Sequence, residues 1–207
     1  CGDDRYTEKV MKAAPKLKVI SKWGTGIDSI DSNAAARLGI WVCNTPGAFT
    51  DPVADTVMGY VLAFARQFPW LDRDMRAGRW EKRMGVSLHE RTLGVVGVGN
   101  VGRAVINRAV AFGMGVSGSD IESIPESFLK STGLEMVSLD ELLSKSDFVS
   151  LNCTLNPTSE HLIGETQLDR MKDTAYLINT CRGPVVDEAA LGRALLAGMI
   201  AGAALDV

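Results

Sequence analysis

The sequence predicts an α/β fold: a doubly wound parallel sheet, preceded by part of a smaller α/β unit. Three observations carry this. From Thr92 onward, short apolar runs alternate regularly with helical segments. Several of those runs are apolar throughout, as strands covered on both faces are. Residues 92–103, Thr-Leu-Gly-Val-Val-Gly-Val-Gly-Asn-Val-Gly-Arg, run a strand into a glycine-rich turn that opens a helix.

Residues 1–45 form the smaller unit. Residues 6–14 read as a short helix stopped by Pro15, and 17–21 as a strand followed by the turn Gly24-Thr25-Gly26. Residues 30–38 read as a helix closed by Gly39, and 40–43 as a second strand. Asn44-Thr-Pro-Gly47 is a loop. The larger unit, 46–207, opens with Asp51-Pro52, an N-cap acid with proline in the first helical position. Apolar residues cover most faces of the helix expected over 51–68, so it reads as a core or interface helix that Pro69 breaks. Residues 70–77 form a more polar helix, and 78–91 a polar connector.

Beyond residues 92–112, strands are expected at 115–119, 148–151, 175–179 and 200–206. Helices are expected after the capping box Ser138-Leu-Asp-Glu141, over 164–171, and from Asp187 to Gly198 with Leu191 and Leu195 on one face.

Gly97, Gly99 and Gly102 stand at G-x-G-x-x-G spacing. The first permits the tight turn, the second lets the backbone approach a pyrophosphate, and the third lets helix and strand pack closely. The free N–H groups of the following helix would face the phosphates. The next strand ends in Asp120, 18 residues after Gly102, where a Rossmann unit places the acid that binds the adenosine ribose.

Composition narrows the function classes. The 46% hydrophobic and 23% charged content is that of an ordinary globular chain with enough apolar material for one large core or two modest ones. The net charge of −3, with no dense basic run, argues against nucleic acid and against a membrane surface as partners. No apolar run approaches a bilayer span. Cys1, Cys43, Cys153 and Cys181 are scattered and read as reduced thiols of a cytoplasmic protein; two histidines, His89 and His161, are too few for a histidine-based metal site. The chain starts at Cys1 and stops at Val207 within a strand pattern, so it reads as a fragment.

Open parallel sheets bind ligands at the carboxyl ends of their strands. That rule gathers the glycine turn, Asp120, Asn152-Cys153-Thr154, Thr180-Cys181-Arg182 and Asp206 along one rim. A guanidinium at Arg182 can grip a carboxylate and polarise a neighbouring carbonyl, or it can pair with Asp187 on the surface. Asp206 can meet a nicotinamide amide or cap its strand. His161 sits in a polar loop and reads as a surface residue, and His89 lies in the connector.

Together these residues resemble the NAD-dependent D-isomer-specific 2-hydroxyacid dehydrogenases. The resemblance rests on Gly24-Thr-Gly-Ile-Asp-Ser-Ile-Asp31, Asn44-Thr-Pro46, Val53-Ala-Asp-Thr56 and the glycine turn. It continues through Leu162-Ile163, Leu177-Ile-Asn-Thr-Cys-Arg-Gly183, Val186-Asp-Glu-Ala-Ala-Leu191 and Ala204-Leu-Asp-Val207. It implies hydride transfer between NAD and a 2-hydroxy or 2-oxo acid, a flavodoxin-like substrate domain beginning before Cys1, and a homodimer packed through the helix from Asp51. It implies that Arg182 is the catalytic arginine and that Thr25 and Gly26 bind the substrate carboxylate. Asn100 and Val101 would lie over the pyrophosphate. Thr56, Thr154, Cys181 and Asp206 would lie about the nicotinamide, Cys153 and Thr180 would also bind the cofactor, and Asp120 would favour NAD over NADP.

The family usually has Glu at the position of Asp55 and commonly Pro at that of Thr154. Its acid–base histidine and the glutamate that holds it would follow Val207, and neither His89 nor His161 matches them. A regulatory dinucleotide-binding protein resembling the co-repressors on this scaffold, or a formate or phosphite dehydrogenase, are the alternatives the same resemblance admits.

Overall fold

A computed structural model describes residues 4–207, so Cys1 lies outside the described residues. The chain forms two compact units, 1–50 and 51–207.

In the first unit, α1 (Glu8–Lys12) precedes β1 (Val19–Ser21), and α2 (Ser32–Arg37) precedes β2 (Trp41–Cys43). The two strands pair in parallel with Ile20 opposite Val42. Their core is Met11, Ile20, Ile30, Ala34, Ala35 and Ile40. Asp31 caps α2 by accepting the Ala34 N–H at 2.8 Å.

The second unit carries α3 (Thr50–Ala65, its first residue in the smaller unit), α4 (Phe68–Arg76), β3 (Thr92–Val96), α5 (Asn100–Ala111) and β4 (Gly115–Ser119). It continues with α6 (Glu126–Thr132), β5 (Glu135–Met136), α7 (Leu139–Lys145), β6 (Phe148–Leu151), α8 (Glu165–Asp169), β7 (Tyr176–Asn179), α9 (Glu188–Leu196) and β8 (Gly202–Leu205). The strand order is β5-β4-β3-β6-β7-β8, and every pairing is parallel. The strand order therefore reverses between β3 and β6, which is the switch point of a Rossmann sheet.

The period-two alternation of strand side chains divides the core between two helical layers. Leu93, Val95, Phe148 and Ile178 face α3 and α5 through Val57, Val61, Val105 and Ile106. Val96, Val149, Leu151 and Leu177 face α7, α8 and α9 through Leu142, Leu168 and Leu191. Tyr176 extends the first layer by stacking between Phe64 and Phe148, with centroids 4.3 and 5.6 Å away. Arg108 on α5 ties that helix to α3, donating to Asp55 at 2.7 Å and Asp51 at 3.0 Å.

Several local expectations are corrected. The helix expected over 51–68 begins at Thr50, so Asp51 lies in its first turn rather than capping it, and it ends at Ala65. The break falls at Gln67, whose left-handed φ of 57° reverses the chain, while Pro69 sits in the first turn of α4, where its missing N–H costs nothing. On α9 the buried face is Ala190, Leu191 and Ala194, and Leu195 is exposed. At α7, Ser138 accepts the Glu141 N–H at 3.2 Å, while the Glu141 carboxylate pairs with Lys145 at 2.5 Å. The elements α6 and β5 were not expected; they are short, and α6 buries none of its residues fully. No helix among the described residues is long and apolar enough to cross a membrane.

Candidate functional site

The glycine turn is built on steric exclusion. Gly97 leaves β3 with φ 88°, a conformation L side chains rarely adopt, and a Cβ there would lie 2.7 Å from Cys153 N and 2.8 Å from Asn152 C. At Gly102 a Cβ would overlap the Gly97 carbonyl oxygen and sit 3.2 Å from Val95 Cγ1, so the start of α5 rests directly on the strand end. Gly99, the N-cap of α5, is different: nothing lies within 4 Å of where its Cβ would be. One side of the turn is closed by packing and the other is open. Asn100 is exposed and Val101 half-buried in that first helical turn. The Arg103 N–H makes the turn's helical bond to Gly99 O at 2.9 Å, and the amides before it lack an intrahelical acceptor.

Asp120, just after β4, braces the turn. Its Oδ2 accepts the Val98 N–H at 2.5 Å and its Oδ1 the Glu122 N–H at 2.9 Å. Arg103 braces it from the helix, donating from Nε to Val98 O at 3.0 Å, with its guanidinium 5.7 Å from the Phe128 ring centre. Sequence reading missed Arg103; its place directly after Gly102 is the only signal it carries.

After β6, the Asn152 N–H bonds Val96 O at 2.7 Å and its side-chain amide bonds Ser150 Oγ at 3.0 Å, but its buried Oδ1 has no partner. Thr154 is exposed, and its carbonyl accepts from the buried Ser159 hydroxyl at 2.7 Å, which fixes the loop path there without the proline common in the family.

After β7, Thr180 is buried and its Oγ1 is likewise unpartnered. Asn179 acts as a clip. Its Oδ1 accepts the Cys181 N–H and S–H, each at 3.1 Å, and its Nδ2 donates to Arg182 O at 2.9 Å. Arg182 is half-buried in extended conformation, donating from Nη1 to Cys181 O at 2.6 Å, and opens a 3-10 turn over Gly183–Val185. Asp187, the acid weighed as its surface partner, caps α9 by accepting the Ala190 N–H at 3.0 Å, and that bond holds its carboxyl below the usual range. Sequence reading also missed Asn179, which carried no local signal.

After β8, the exposed Asp206 accepts the Tyr60 hydroxyl at 3.3 Å, and its N–H bonds Asn179 O at 3.0 Å. Burial first, then the Asp206 charge, raises the Tyr60 pKa. Thr56 lies one turn before Tyr60 on α3, with its hydroxyl donated to Pro52 O at 3.0 Å.

Cys153 and Cys181 are free thiols and half-buried, as Cys43 is free and exposed. The neighbouring Cys181 side chain lowers the Cys153 pKa, while Cys153 and burial raise that of Cys181.

Within the smaller unit, the Gly24–Gly26 turn is fastened by the loop after β2. Thr25 O accepts the Asn44 side-chain amide at 2.8 Å, and the Gly24 N–H bonds Thr45 Oγ1 at 3.0 Å. Thr25 is exposed and Gly26 half-buried. His161 is exposed, with φ 50°, and the Asp187 carboxylate is spent on the α9 cap. His89 is exposed and bonds Ser87 Oγ at 2.7 Å.

The reversed strand order and the closed-and-open glycine turn define a dinucleotide-binding Rossmann domain. Residues 58–207 match the model of the D-isomer specific 2-hydroxyacid dehydrogenase NAD binding domain, and the chain belongs to that family. It is 46% identical over 211 residues to a glyoxylate reductase of Korarchaeum cryptofilum, covering 99% of this chain and 63% of that protein. It is 42% identical over 206 residues to a D-3-phosphoglycerate dehydrogenase of Methanocaldococcus jannaschii, covering 98% of this chain and 39% of that protein. A crystal structure of D-lactate dehydrogenase from Aquifex aeolicus, complexed with NAD and lactic acid, superposes with a TM-score of 0.92 at 34% identity, over 98% of this chain and 61% of that one. The chain thus spans less than two thirds of these relatives.

The strand-end residues fit NAD. The open side of Gly99 leaves room for backbone approach, and the buried Asn152 Oδ1 and Thr180 Oγ1 remain to be satisfied at the carboxyl ends of β6 and β7.

Proposed function

We propose that the protein containing this chain is an NAD-dependent oxidoreductase that interconverts a D-2-hydroxy acid and a 2-oxo acid. One observation carries the reading: the Asn179 clip fixes Arg182 in a loop at the carboxyl end of β7, in the same sheet whose β3 ends in the glycine turn. The amides of Asn100 and Val101 receive the pyrophosphate, with Gly97, Gly99 and Gly102 shaping the approach. Asp120 accepts the ribose hydroxyls through lone pairs not used by Val98 and Glu122, and its negative charge opposes a 2′-phosphate. Thr56, Cys153, Thr154, Thr180, Cys181 and Asp206 surround the nicotinamide, and Tyr60 holds Asp206 in place. When bound, the nicotinamide supplies the hydride donor or acceptor.

Arg182 grips the substrate carboxylate and sets positive charge against the oxygen that changes between hydroxyl and carbonyl. The family resemblance assigns Thr25 and Gly26, in residues 1–45, to backbone amides that bind a substrate carboxylate. The hydroxyl proton goes to a histidine outside these 207 residues, as the family resemblance implies. The same resemblance assigns α3 to a homodimer interface.

NADH oxidation by the full-length protein against a panel of 2-oxo acids tests the reading. Turnover of at least one to its D-hydroxy acid is expected. Tight NADH binding with no turnover of any 2-oxo acid would instead leave a dinucleotide-binding protein without this activity.

A further inference from the structure

Tyr60 joins α3 to the end of β8. Its ring packs against the core layer that holds Val57, Val61 and Phe148. Its hydroxyl reaches past that layer and donates to Asp206 Oδ1 at 3.3 Å. Burial and the Asp206 charge both raise the Tyr60 pKa, so the phenol remains a donor at neutral pH.

Asp206 is thereby held at two points. Its backbone N–H bonds Asn179 O at 3.0 Å, just past the last pair of the β7–β8 register, Asn179 with Leu205. Its side chain is held through Oδ1 by Tyr60. The residue is exposed, and among the described residues none donates to Oδ2. Thr56, proposed to border the nicotinamide, stands one turn earlier on α3, an i, i+4 neighbour of Tyr60. One face of α3 thus carries both residues.

We propose that Tyr60 is a positioning residue for the cofactor: it fixes the Asp206 carboxylate so that Oδ2 accepts an N–H of the nicotinamide carboxamide. This rests on the reading that Asp206 borders the nicotinamide. An ionised carboxylate offers two acceptor oxygens and turns about its own bond. A donor held on Oδ1 fixes that turn and aims the other oxygen. A carboxamide facing the other way would set its oxygen against the carboxylate charge, so a fixed Asp206 selects one orientation of the carboxamide. The backbone carbonyl that holds Asp206 belongs to Asn179, whose side chain clips Arg182. One residue therefore fastens both the carboxylate that meets the cofactor and the loop that meets the substrate.

The test uses the full-length protein and calorimetric titration with NAD and with acetylpyridine adenine dinucleotide. The acetyl group of that analogue keeps the carbonyl and has no N–H. Wild type is expected to bind NAD at least about fivefold more tightly than the analogue. Tyr60→Phe keeps the ring and is expected to weaken NAD by about fivefold while moving the analogue by less than about twofold. Asp206→Ala is expected to show the same selective loss, and adding Tyr60→Phe to it is expected to cost nothing further. A Tyr60→Phe loss shared equally by NAD and the analogue, or a further loss on the Asp206→Ala background, assigns Tyr60 to packing alone and overturns the proposal. Wild-type NAD affinity in Tyr60→Phe, with discrimination lost only in Asp206→Ala, overturns the proposal and leaves the Asp206 reading standing. A wild-type protein that binds NAD and the analogue equally overturns the Asp206 reading itself, and the proposal with it.

Discussion

The carboxylate of Asp120 accepts the backbone N–H of Val98, the residue between Gly97 and Gly99, at 2.5 Å. The acid proposed to meet the ribose therefore also holds the turn proposed to meet the pyrophosphate. Asp120→Asn keeps an acceptor for Val98 but removes the charge. It should weaken NADH binding by about tenfold and narrow the preference for NADH over NADPH, both read by fluorescence titration. A wild-type protein that binds NADPH more tightly than NADH would remove the assigned role.

Gly102 and Gly192 make a contrasting pair. Both are helical, but a Cβ at Gly102 overlaps the Gly97 carbonyl, whereas nothing lies within 4 Å of one at Gly192. Gly102→Ala should cost about 1–3 kcal/mol in urea unfolding and abolish measurable NADH binding. Gly192→Ala should stabilise by about 0.5–1 kcal/mol. Equal effects at the two positions would contradict the packing assigned to the glycine turn.

Asn179 is 1% exposed and holds both sides of the Arg182 loop. Asn179→Ala leaves the Cys181 N–H and Arg182 O without this partner and should cost about 1–3 kcal/mol of stability. In the full-length protein it should lower kcat for the best 2-oxo acid more than it weakens NADH. A variant with wild-type kcat would mean the clip does not position Arg182.

Asp74 gives a pH signature away from the site. Its carboxylate is 4% exposed and meets Arg79 at 2.6 Å and Arg83 at 2.7 Å. The Arg79 hydrogen bond first, then that of Arg83, lowers its pKa. A depressed carboxyl stabilises the fold above its unfolded pKa of about 4 and loses that stabilisation as pH falls through the lower folded value. Asp74→Asn should therefore lower the urea midpoint at pH 7, with the gap from wild type closing below about pH 4. A gap that widens with acid would reverse the sign assigned here.

What the sequence made legible was local. The glycine spacing, Asp120 at a strand end, Arg182 before Gly-Pro and the Asp187 cap each sit in a short window, where steric or capping rules act. The turn at Gln67 carried no such signal, because a non-glycine residue takes the left-handed conformation there. The short α6 and β5 offered too few apolar residues for a periodic pattern. The Asp120–Val98 brace depends on the register of β3 and β4, which no local window encodes.

The most direct test of the central claim is Arg182→Ala in the full-length protein, with NADH affinity and 2-oxo acid turnover measured side by side. Turnover should fall by at least about a hundredfold while the NADH dissociation constant stays within about threefold of wild type. Turnover retained within about tenfold, with normal NADH binding, would contradict the assignment of substrate chemistry to Arg182.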